Sequence, residues 1–593
     1  MHPVDFGGHF GWLYEPQPHA SDHGKTGIVL CSPLGHEALW LHQTMRSLAD
    51  RLAGRGFAVL RFDYAGTGDS VDTGELVEPG KWVDEAVEAA AFLRQTTGVG
   101  RVALIGFRFG AMVAAQAARA AEVDTIALVA PVVTGRQFVR EMNVLQRTWL
   151  DRTGNHTLND AVPAHAFDVL GHRFSRAAID AITHADLRRT SSAPANKVLI
   201  VHAADQGPSY ELANVYSSLG ADVESLPFHG YLEAMQPSWQ ARLPQVTLAA
   251  IEAWFRREVA PLPAPASASG SPRAFDLSTA SLRSRQPASL RGAVETPVEL
   301  ADGRLFAMLC EPDDTPQYAP LVVIANTATT HHVGDGRFNV DLARSLARAG
   351  IASIRVDAHG IGDSRGAQTV ADPSLLSYEQ LAADTSLAVD WAVERGHPRV
   401  AVFGICSGAY LGLHAATKNP AVAALLLVNL QRFDFPVDFR MCDASTLGKG
   451  STRAHLRAML RAQKWSQVLR GEVGLRPVLH TLYRYAIDSV VSNATAWAGD
   501  ANRSAVNKGA CARQRMKDLD ARGVRVRLLF SPLDRGLDEF RLHFGPGGRR
   551  LNKLLHASAM VVPDMDHEVL NHAARQRVAA LCETFFRQAL AHE

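Results

Sequence analysis

The chain has 593 residues, of which 61 are Lys or Arg and 60 are Asp or Glu, giving a formal net charge of +1. That balance argues against a general nucleic-acid binder, which carries a basic excess, and six scattered cysteines with no CxxC pair argue against a disulfide framework or a zinc ribbon. The start, MHPVDFGGHFGW, lacks a basic segment followed by an apolar run, and no stretch reaches ~18 uninterrupted apolar residues, so neither a leader nor a membrane span is expected and the cytoplasm is the expected compartment.

Taken in chain order, short β-branched runs bounded by turn residues predict buried strands at GIVLCS (from Gly27), FAVLRF (from Phe57), VALIGF (from Val102), IALVAP (from Ile126) and KVLIVH (from Lys197). Helical spacing predicts helices between them, at Leu41–Gly54 and Trp82–Thr96. A Pro/Ala/Ser stretch, Ala260 to Pro272, has too little apolar surface to build a core and reads as a linker. Beyond it LVVIAN (from Leu321), IASIRV (from Ile351), VAVFGI (from Val400), ALLLVN (from Ala424) and VRVRLLF (from Val524) renew the strand–helix alternation. Near-continuous apolar strands alternating with helices predict a mostly parallel sheet covered on both faces.

The two halves are one plan written twice. Arg61-Phe-Asp-Tyr-Ala-Gly-Thr-Gly-Asp-Ser70 recurs as Arg355-Val-Asp-Ala-His-Gly-Ile-Gly-Asp-Ser364, and Leu13-Tyr-Glu-Pro16 as Leu309-Cys-Glu-Pro312. GIVLCSPLG matches LVVIANTAT, and Arg101 to Ala111 matches Arg399 to Ala409, with an offset that drifts only from about 294 to about 298 residues. A repeat of this length is a duplicated domain. The expected organisation is a first α/β domain over 1–258, a linker over 259–289 and a second α/β domain over 290–593. Whether the two pack as an internal pseudo-dimer is left open. Gly66-Thr-Gly68 and Gly360-Ile-Gly362 belong to the repeated RxDxxGxGDS turn and not to a dinucleotide fingerprint.

The chemistry concentrates in the second copy. The strand VAVF runs into Gly404-Ile-Cys406-Ser-Gly408 and then a helical pattern, a G-x-nucleophile-x-G elbow with cysteine in the reacting position. The tight turn needs its flanking glycines, and the helix N-terminus favours an anion there. Ser407 lacks that spaced glycine frame, so its backbone N–H is assigned as one oxyanion donor instead of its hydroxyl as nucleophile. The second donor is expected in the loop after LVVIAN, at Ala328 in preference to Thr327. The acid and histidine should follow in that order at strand ends. Asp534 in SPLDRGLD and His567 in PDMDHEVL meet this, with Asp538 a poorer alternative acid. In the first copy Arg108 occupies the elbow position of Gly106-Phe-Arg-Phe-Gly110, and a guanidinium cannot attack a carbonyl. Asp205 keeps the acid position, Tyr231 stands where the histidine belongs, and His229 lies two residues early. That copy is either a catalytically silent packing partner or a place where Arg108 binds a carboxylate or phosphate.

These residues resemble the α/β-hydrolase superfamily, and within it the serine-aminopeptidase-like branch, over nearly the whole chain apart from the linker. A closer resemblance is to the paired hydrolases associated with exosortase-A and exopolysaccharide gene clusters. ANTATTHHVG, RVDAHGIGDS, GICSGA, SPLDRGLDEFRLHFG and PDMDHEVL in the second copy carry it, with the arginine elbow GFRFGA in the first. The resemblance implies eight mostly parallel strands per domain and a cap inserted after the strand that follows the elbow. About ninety residues separate LLLVN from VRVRLLF, room for a helical cap at about 431–520. That insert is basic, and Arg453, Arg457 and Arg461 fall at i, i+4 and i+8, on one helix face. The face is either simply solvated or docks something acidic, such as an acyl carrier protein, a CoA phosphate or an anionic polysaccharide.

The leading expectation is acyl transfer or thioesterase-like chain release through a Cys406 thioester, with His567 as general base and acid and Asp534 orienting it. The alternatives are an ester or lactone hydrolase of the dienelactone type and a non-catalytic acyl-binding scaffold. No cofactor and no metal is expected. His331 and His332 are read as part of the oxyanion loop and not as metal ligands.

Overall fold

The computed structural model describes residues 1–16, 26–74, 76–153, 162–203, 207–259, 282–283, 292–313, 320–364, 375–397, 399–434, 440 and 501–590. The first repeat forms β1 (His2–Phe6), β2 (His9–Tyr14), β3 (Thr26–Cys31), β4 (Ala58–Phe62), β5 (Arg101–Phe107), β6 (Thr125–Val129), β7 (Ala166–Val169), β8 (His172–Ser175), β9 (Lys197–His202) and β10 (Asp222–Pro227). Eight of these make one sheet in the order β1-β2-β4-β3-β5-β6-β9-β10, antiparallel at the β1–β2 and β2–β4 pairings and parallel from β4 onward. Alternation in β3 shows how the sheet builds two cores. Val29 and Cys31 pack with Trp82, Ala86, Leu93 and Met112 on one face. Ile28 and Leu30 pack with Leu41, Leu48, Ile251 and Phe255 on the other. The helices Trp82–Thr97 and Phe109–Ala117 therefore cover one side, and His36–Gly54 and Gln245–Glu258 the other.

Between β6 and β9 the first repeat carries an insert that the sequence pattern did not announce. It contains the helix Gly135–Thr153, the β7–β8 hairpin and the helix Arg176–His184. A cap was expected only in the second repeat, and of that expected cap all but its two ends lies outside the described residues.

The second repeat supplies β11 (Leu282–Arg283), β12 (Val294–Leu300), β13 (Leu305–Glu311), β14 (Leu321–Ile324), β15 (Ala352–Asp357), β16 (Val400–Ile405), β17 (Val422–Val428), β18 (Arg525–Phe530) and β19 (Ala557–Val561). The described residues fall into two compact units. The first takes Met1–Arg152, His156–Ala319 and Ala328–Leu376, and the second Thr153–Asn155, Pro320–Thr327 and Ser377–Glu593. The first unit thus holds the first repeat's sheet together with the antiparallel run β11-β12-β13-β15. The second unit holds the parallel run β14-β16-β17-β18-β19. No helix among the described residues is long and apolar enough to cross a membrane.

Inside the first unit the duplicated RxDxxGxGDS motifs meet. Each folds the same way. Ser70 accepts a hydrogen bond from the Phe10 N–H (2.9 Å) and donates to the Asp63 carbonyl (2.6 Å); Ser364 does likewise with Phe306 (2.8 Å) and Asp357 (2.5 Å). Gly68 and Gly362 both have positive φ, and a Cβ at either would overlap the carboxylate of Asp63 or Asp357. The charged ends of the motifs then pair reciprocally. Arg61 donates to Asp363, and Arg355 Nη1 donates to Asp69 (2.5 Å). All four side chains are buried. His332 bridges the two copies, with Nε2 2.6 Å from Asp69 and Nδ1 2.8 Å from Asp357. Arg344 joins Glu295 to Asp72, and Trp12 meets Phe306 edge-on at 4.8 Å. The motif is therefore an interface element, and not only a local turn.

Burial works against a charged His332, but Asp357 and Asp69 outweigh it and lift its pKa from 6.5 to about 10. A raised folded pKa means that the stabilisation is complete below pH 6.5 and is lost as pH climbs through about 10. His332→Ala should leave the buried Asp357 carboxylate without its cationic partner and Asp69 with Arg355 alone, and lower the unfolding free energy by ~3–5 kcal/mol. It should also remove that alkaline decline, read from urea unfolding at pH 6 and pH 9.5. Wild-type stability in the variant, or an unchanged alkaline decline, would contradict this role.

Candidate active site

β16 ends at Gly404-Ile405-Cys406, and the helix Ser407–Lys418 starts immediately. Cys406 has φ 55° and ψ −112°, a conformation that costs a non-glycine residue ~1–3 kcal/mol and persists only where its surroundings fix it. Two close approaches do so. A Cβ at Gly404 would collide with the Gly408 carbonyl, and one at Gly408 would lie 2.7 Å from the Asn326 carbonyl oxygen. This glycine frame centres on residue 406 and not 407. Ser407 is the first residue of the helix, and its side chain shares a hydrogen bond with the buried Tyr378 hydroxyl.

The histidine and acid arrive from the neighbouring strand ends. Asp534, after β18, caps the helix Arg535–Phe544 by accepting the Gly536 N–H on Oδ1 (2.6 Å), which leaves Oδ2 to accept from His567 Nδ1 (2.5 Å). Asp534 is fully buried, and His567 is also hydrogen-bonded to Cys406. Burial disfavours the imidazolium, but the neighbouring Cys406 and Asp534 outweigh it and hold the His567 pKa well above 6.5. Asp538 is not a competing acid: it sits one turn along the helix and pairs with Arg541.

Two contributors escaped the sequence reading. Asn429, at the end of β17 with φ 50°, donates from Nδ2 to the carbonyls of Asp566 (3.1 Å) and His567 (2.9 Å), and accepts the Ser531 N–H on Oδ1 (2.7 Å). It ties three strand ends together beneath the histidine, and its only sequence signal is a polar residue closing the apolar run ALLLVN. Tyr378 is the other, placed against Ser407 from the helix Tyr378–Glu394. In the loop after β14, the Thr327 hydroxyl donates to the Ile405 carbonyl (3.2 Å). Ala328, next in the chain, has φ 49°.

The first repeat keeps the elbow and changes its content. Arg108 has φ 52° and ψ −116°, nearly the angles of Cys406. Its Nε donates to Glu37 and its Nη2 to Glu141, both at 3.0 Å, and its guanidinium lies 5.8 Å over Phe138. Two carboxylates of its own repeat thus engage the guanidinium. Burial raises the pKa of Tyr231, against the pull of the Arg108 charge, and the His229 carbonyl accepts the Thr247 hydroxyl. Asp205, Arg453, Arg457 and Arg461 lie outside the described residues. His331 stacks on His42, with centroids 4.2 Å apart. Among the described residues, His332, Asp357 and Asp363 are grouped closely enough to hold a metal ion. His332 and Asp357 already bond each other, however, and Asp363 is paired with Arg61, so the donor set is committed to ion pairs.

A doubly wound sheet with strand order 1-2-4-3-5-6, followed by the last two strands, and an elbow on the strand beside the switch point define the α/β-hydrolase fold. The chain is two such domains in tandem. Residues 24–179 match the protein-family model described as serine aminopeptidase, S33, and residues 302–432 match that described as X-Pro dipeptidyl-peptidase (S15 family), one model in each repeat. Among solved structures, the chain is similar to a dienelactone hydrolase from Anabaena variabilis at 15% identity, over 50% of this chain and 99% of that one, with a TM-score of 0.31. It is similar to an α/β serine hydrolase without a lid from Xanthomonas campestris at 17% identity, over 44% and 94%, with a TM-score of 0.29. It is also similar to carboxyl esterase 2 from Tuber melanosporum at 15% identity, over 52% and 93%, with a TM-score of 0.31. No curated protein matches the chain.

Asp534→Asn removes one of the charges that hold His567 above 6.5. The imidazole titration followed by NMR should move down by about one unit or more, a loss of ~1.4 kcal/mol of differential stabilisation. An unmoved midpoint would show that Asp534 does not tune this histidine.

Proposed function

We propose that the second repeat catalyses acyl transfer through a thioester on Cys406, taking the acyl group from a thioester or ester. The carrying observation is the connected line Cys406–His567–Asp534 with cysteine at the apex of the elbow. His567 takes the thiol proton, and the thiolate attacks the carbonyl carbon, forming a C–S bond while the carbonyl electron pair moves onto oxygen. The Ser407 N–H, with the Ala328 N–H as second donor, stabilises that oxyanion. Collapse expels the donor's thiolate or alkoxide, which leaves with the proton held by His567. An incoming amine, alcohol or water then gives a proton to His567, attacks the acyl carbon and releases Cys406.

Cysteine suits a thioester donor because thiolate exchanges for thiolate at little cost. An acidic carrier, whether an acyl carrier protein or CoA, is assigned to the basic insert through Arg453, Arg457 and Arg461, with the cytoplasm as its setting. Water as final acceptor makes the same chemistry a hydrolase, so the acyl-enzyme is the shared and decisive species.

Intact-protein mass after incubation with short acyl thioesters should show one acyl adduct on the wild type and none on Cys406→Ala. Decay of the adduct with added amine, alcohol or water alone names the acceptor. The reading fails if the wild type gains no adduct and Cys406 is equally inert to iodoacetamide at pH 7 and pH 9; the second repeat would then be a binding scaffold.

A further inference from the structure

The two ring nitrogens of His567 are held differently. Nδ1 donates to Asp534 (2.5 Å), so the hydrogen bond to Cys406 falls on Nε2. Nε2 has a second neighbour, the Gln431 side-chain amide, at 3.5 Å, the long end of a hydrogen bond. The chain on either side of Gln431 is fixed. Two residues before it, the Asn429 N–H donates to the Leu529 carbonyl (2.8 Å) and the Asn429 side chain to the carbonyl of His567 itself (2.9 Å). The Leu430 carbonyl packs where Gly536 has no Cβ, beside the turn that Asp534 caps. Two residues after it, Phe433 is buried with its ring 5.2 Å from that of Phe544, and its carbonyl accepts from Arg515 Nη1 (2.7 Å), while Asp434 pairs with Arg515 Nη2 (2.8 Å). Half-buried Gln431 is thus presented to the proton-carrying edge of the histidine by a segment held in place on both sides. All of these residues belong to the second unit.

We propose that Gln431 is a positioning residue for His567 in the second half of the reaction, holding the ring once Cys406 is acylated. This rests on the acyl-transfer reading above. Before acylation the thiol and the amide both face Nε2; a thioester sulfur has no proton to give and is a poor acceptor, so acylation leaves Nε2 with Gln431. A single bond at Nδ1 lets the far edge of the ring swing, and a displacement of about 1 Å can cost ~100-fold in rate. The amide suits both states of the ring, because its N–H donates to neutral Nε2 and, turned over, its carbonyl accepts from the imidazolium. In deacylation Nε2 takes the proton of the incoming amine, alcohol or water as that nucleophile's lone pair forms the new bond to the acyl carbon. The C–S bond then breaks with its electron pair on sulfur, and the proton returns from Nε2 to Cys406. Gln431 takes no part in these transfers; it keeps Nε2 where they occur.

Single-turnover mass spectrometry of the full chain separates the two halves. In Gln431→Leu, and in Gln431→Ala should leucine disturb the packing, acylation by a short acyl thioester should stay within about twofold of wild type. Loss of the adduct should slow about tenfold, by the same factor for amine, alcohol and water. Equal slowing of both halves, or no slowing of the second, would overturn the inference. A factor that differs between acceptors would do so too, because Gln431 would then act on the acceptor and not on the ring. A second readout needs no acyl group. In Cys406→Ala, residue 406 has no side-chain partner for Nε2, so the low-field NMR signal of the His567 Nδ1 proton should exchange with water severalfold faster in Cys406→Ala/Gln431→Leu than in Cys406→Ala alone. An equal exchange rate would overturn the hold on the ring. A wild type that never acylates would defeat the acyl-transfer reading itself, and the Nδ1 proton would then decide separately whether Gln431 holds the histidine.

Discussion

Two buried arginine–aspartate pairs, Arg61 with Asp363 and Arg355 with Asp69, set the terms for the first unit of this molecule. Each motif contributes one partner to each pair, so neither half can be altered without leaving a charge unmatched in the other. The surrounding buried groups carry charges of both signs. Arg61, Arg355, Arg344, Arg337 and the His332 imidazolium face Asp363, Asp69, Asp357, Asp72 and Glu295. Buried ion pairs add little net stability compared with apolar packing of the same shape, but they penalise a wrong partner by several kcal/mol. Their effect here is selection of one arrangement. The contact of Trp12 with Phe306, and the burial of Phe306 and Met308 in the first repeat's own cluster, supply the apolar area that such pairs lack.

The two elbows separate what the fold requires from what the chemistry requires. Arg108 and Cys406 share the same strained backbone, held by equivalent glycine frames at Gly106 and Gly110 and at Gly404 and Gly408. Strand-to-helix geometry alone demands that turn. In the first repeat the exposed apex is closed by ion pairs with Glu37 and Glu141, while in the second it carries a thiol that reaches His567. The same backbone thus supports a closed, charge-satisfied corner and one that carries a thiol beside a histidine, and the difference lies in a handful of side chains.

Much of the candidate site's arrangement could be read directly from residue order. Cys406, Asp534 and His567 follow one another at strand ends that apolar runs make visible, and the spaced glycines distinguish Cys406 from Ser407 before any coordinates are known. The interface could not be read the same way. RxDxxGxGDS looks like a local turn because its serine, glycines and first aspartate do fold locally; the arginine and last aspartate have partners some 300 residues away, and nothing in local spacing encodes a partner at that distance. Asn429 and Tyr378 were missed for a related reason, since each acts by bonding to other elements and not by its position in a motif. The insert between β6 and β9 was passed over because its helix Gly135–Thr153 is mostly polar and buries only Gly135, Phe138, Met142 and Leu150.

A double-mutant cycle on Arg61 and Asp363 tests the reciprocal pairing most directly. Arg61→Ala, Asp363→Ala and the double variant, compared by equilibrium unfolding of the full chain, should show a coupling of about 1–3 kcal/mol, because the second substitution removes the charge that the first leaves stranded. Strictly additive losses would mean that the two side chains are independent, and that the duplicated motif does not hold the repeats' N-terminal parts together through this pair.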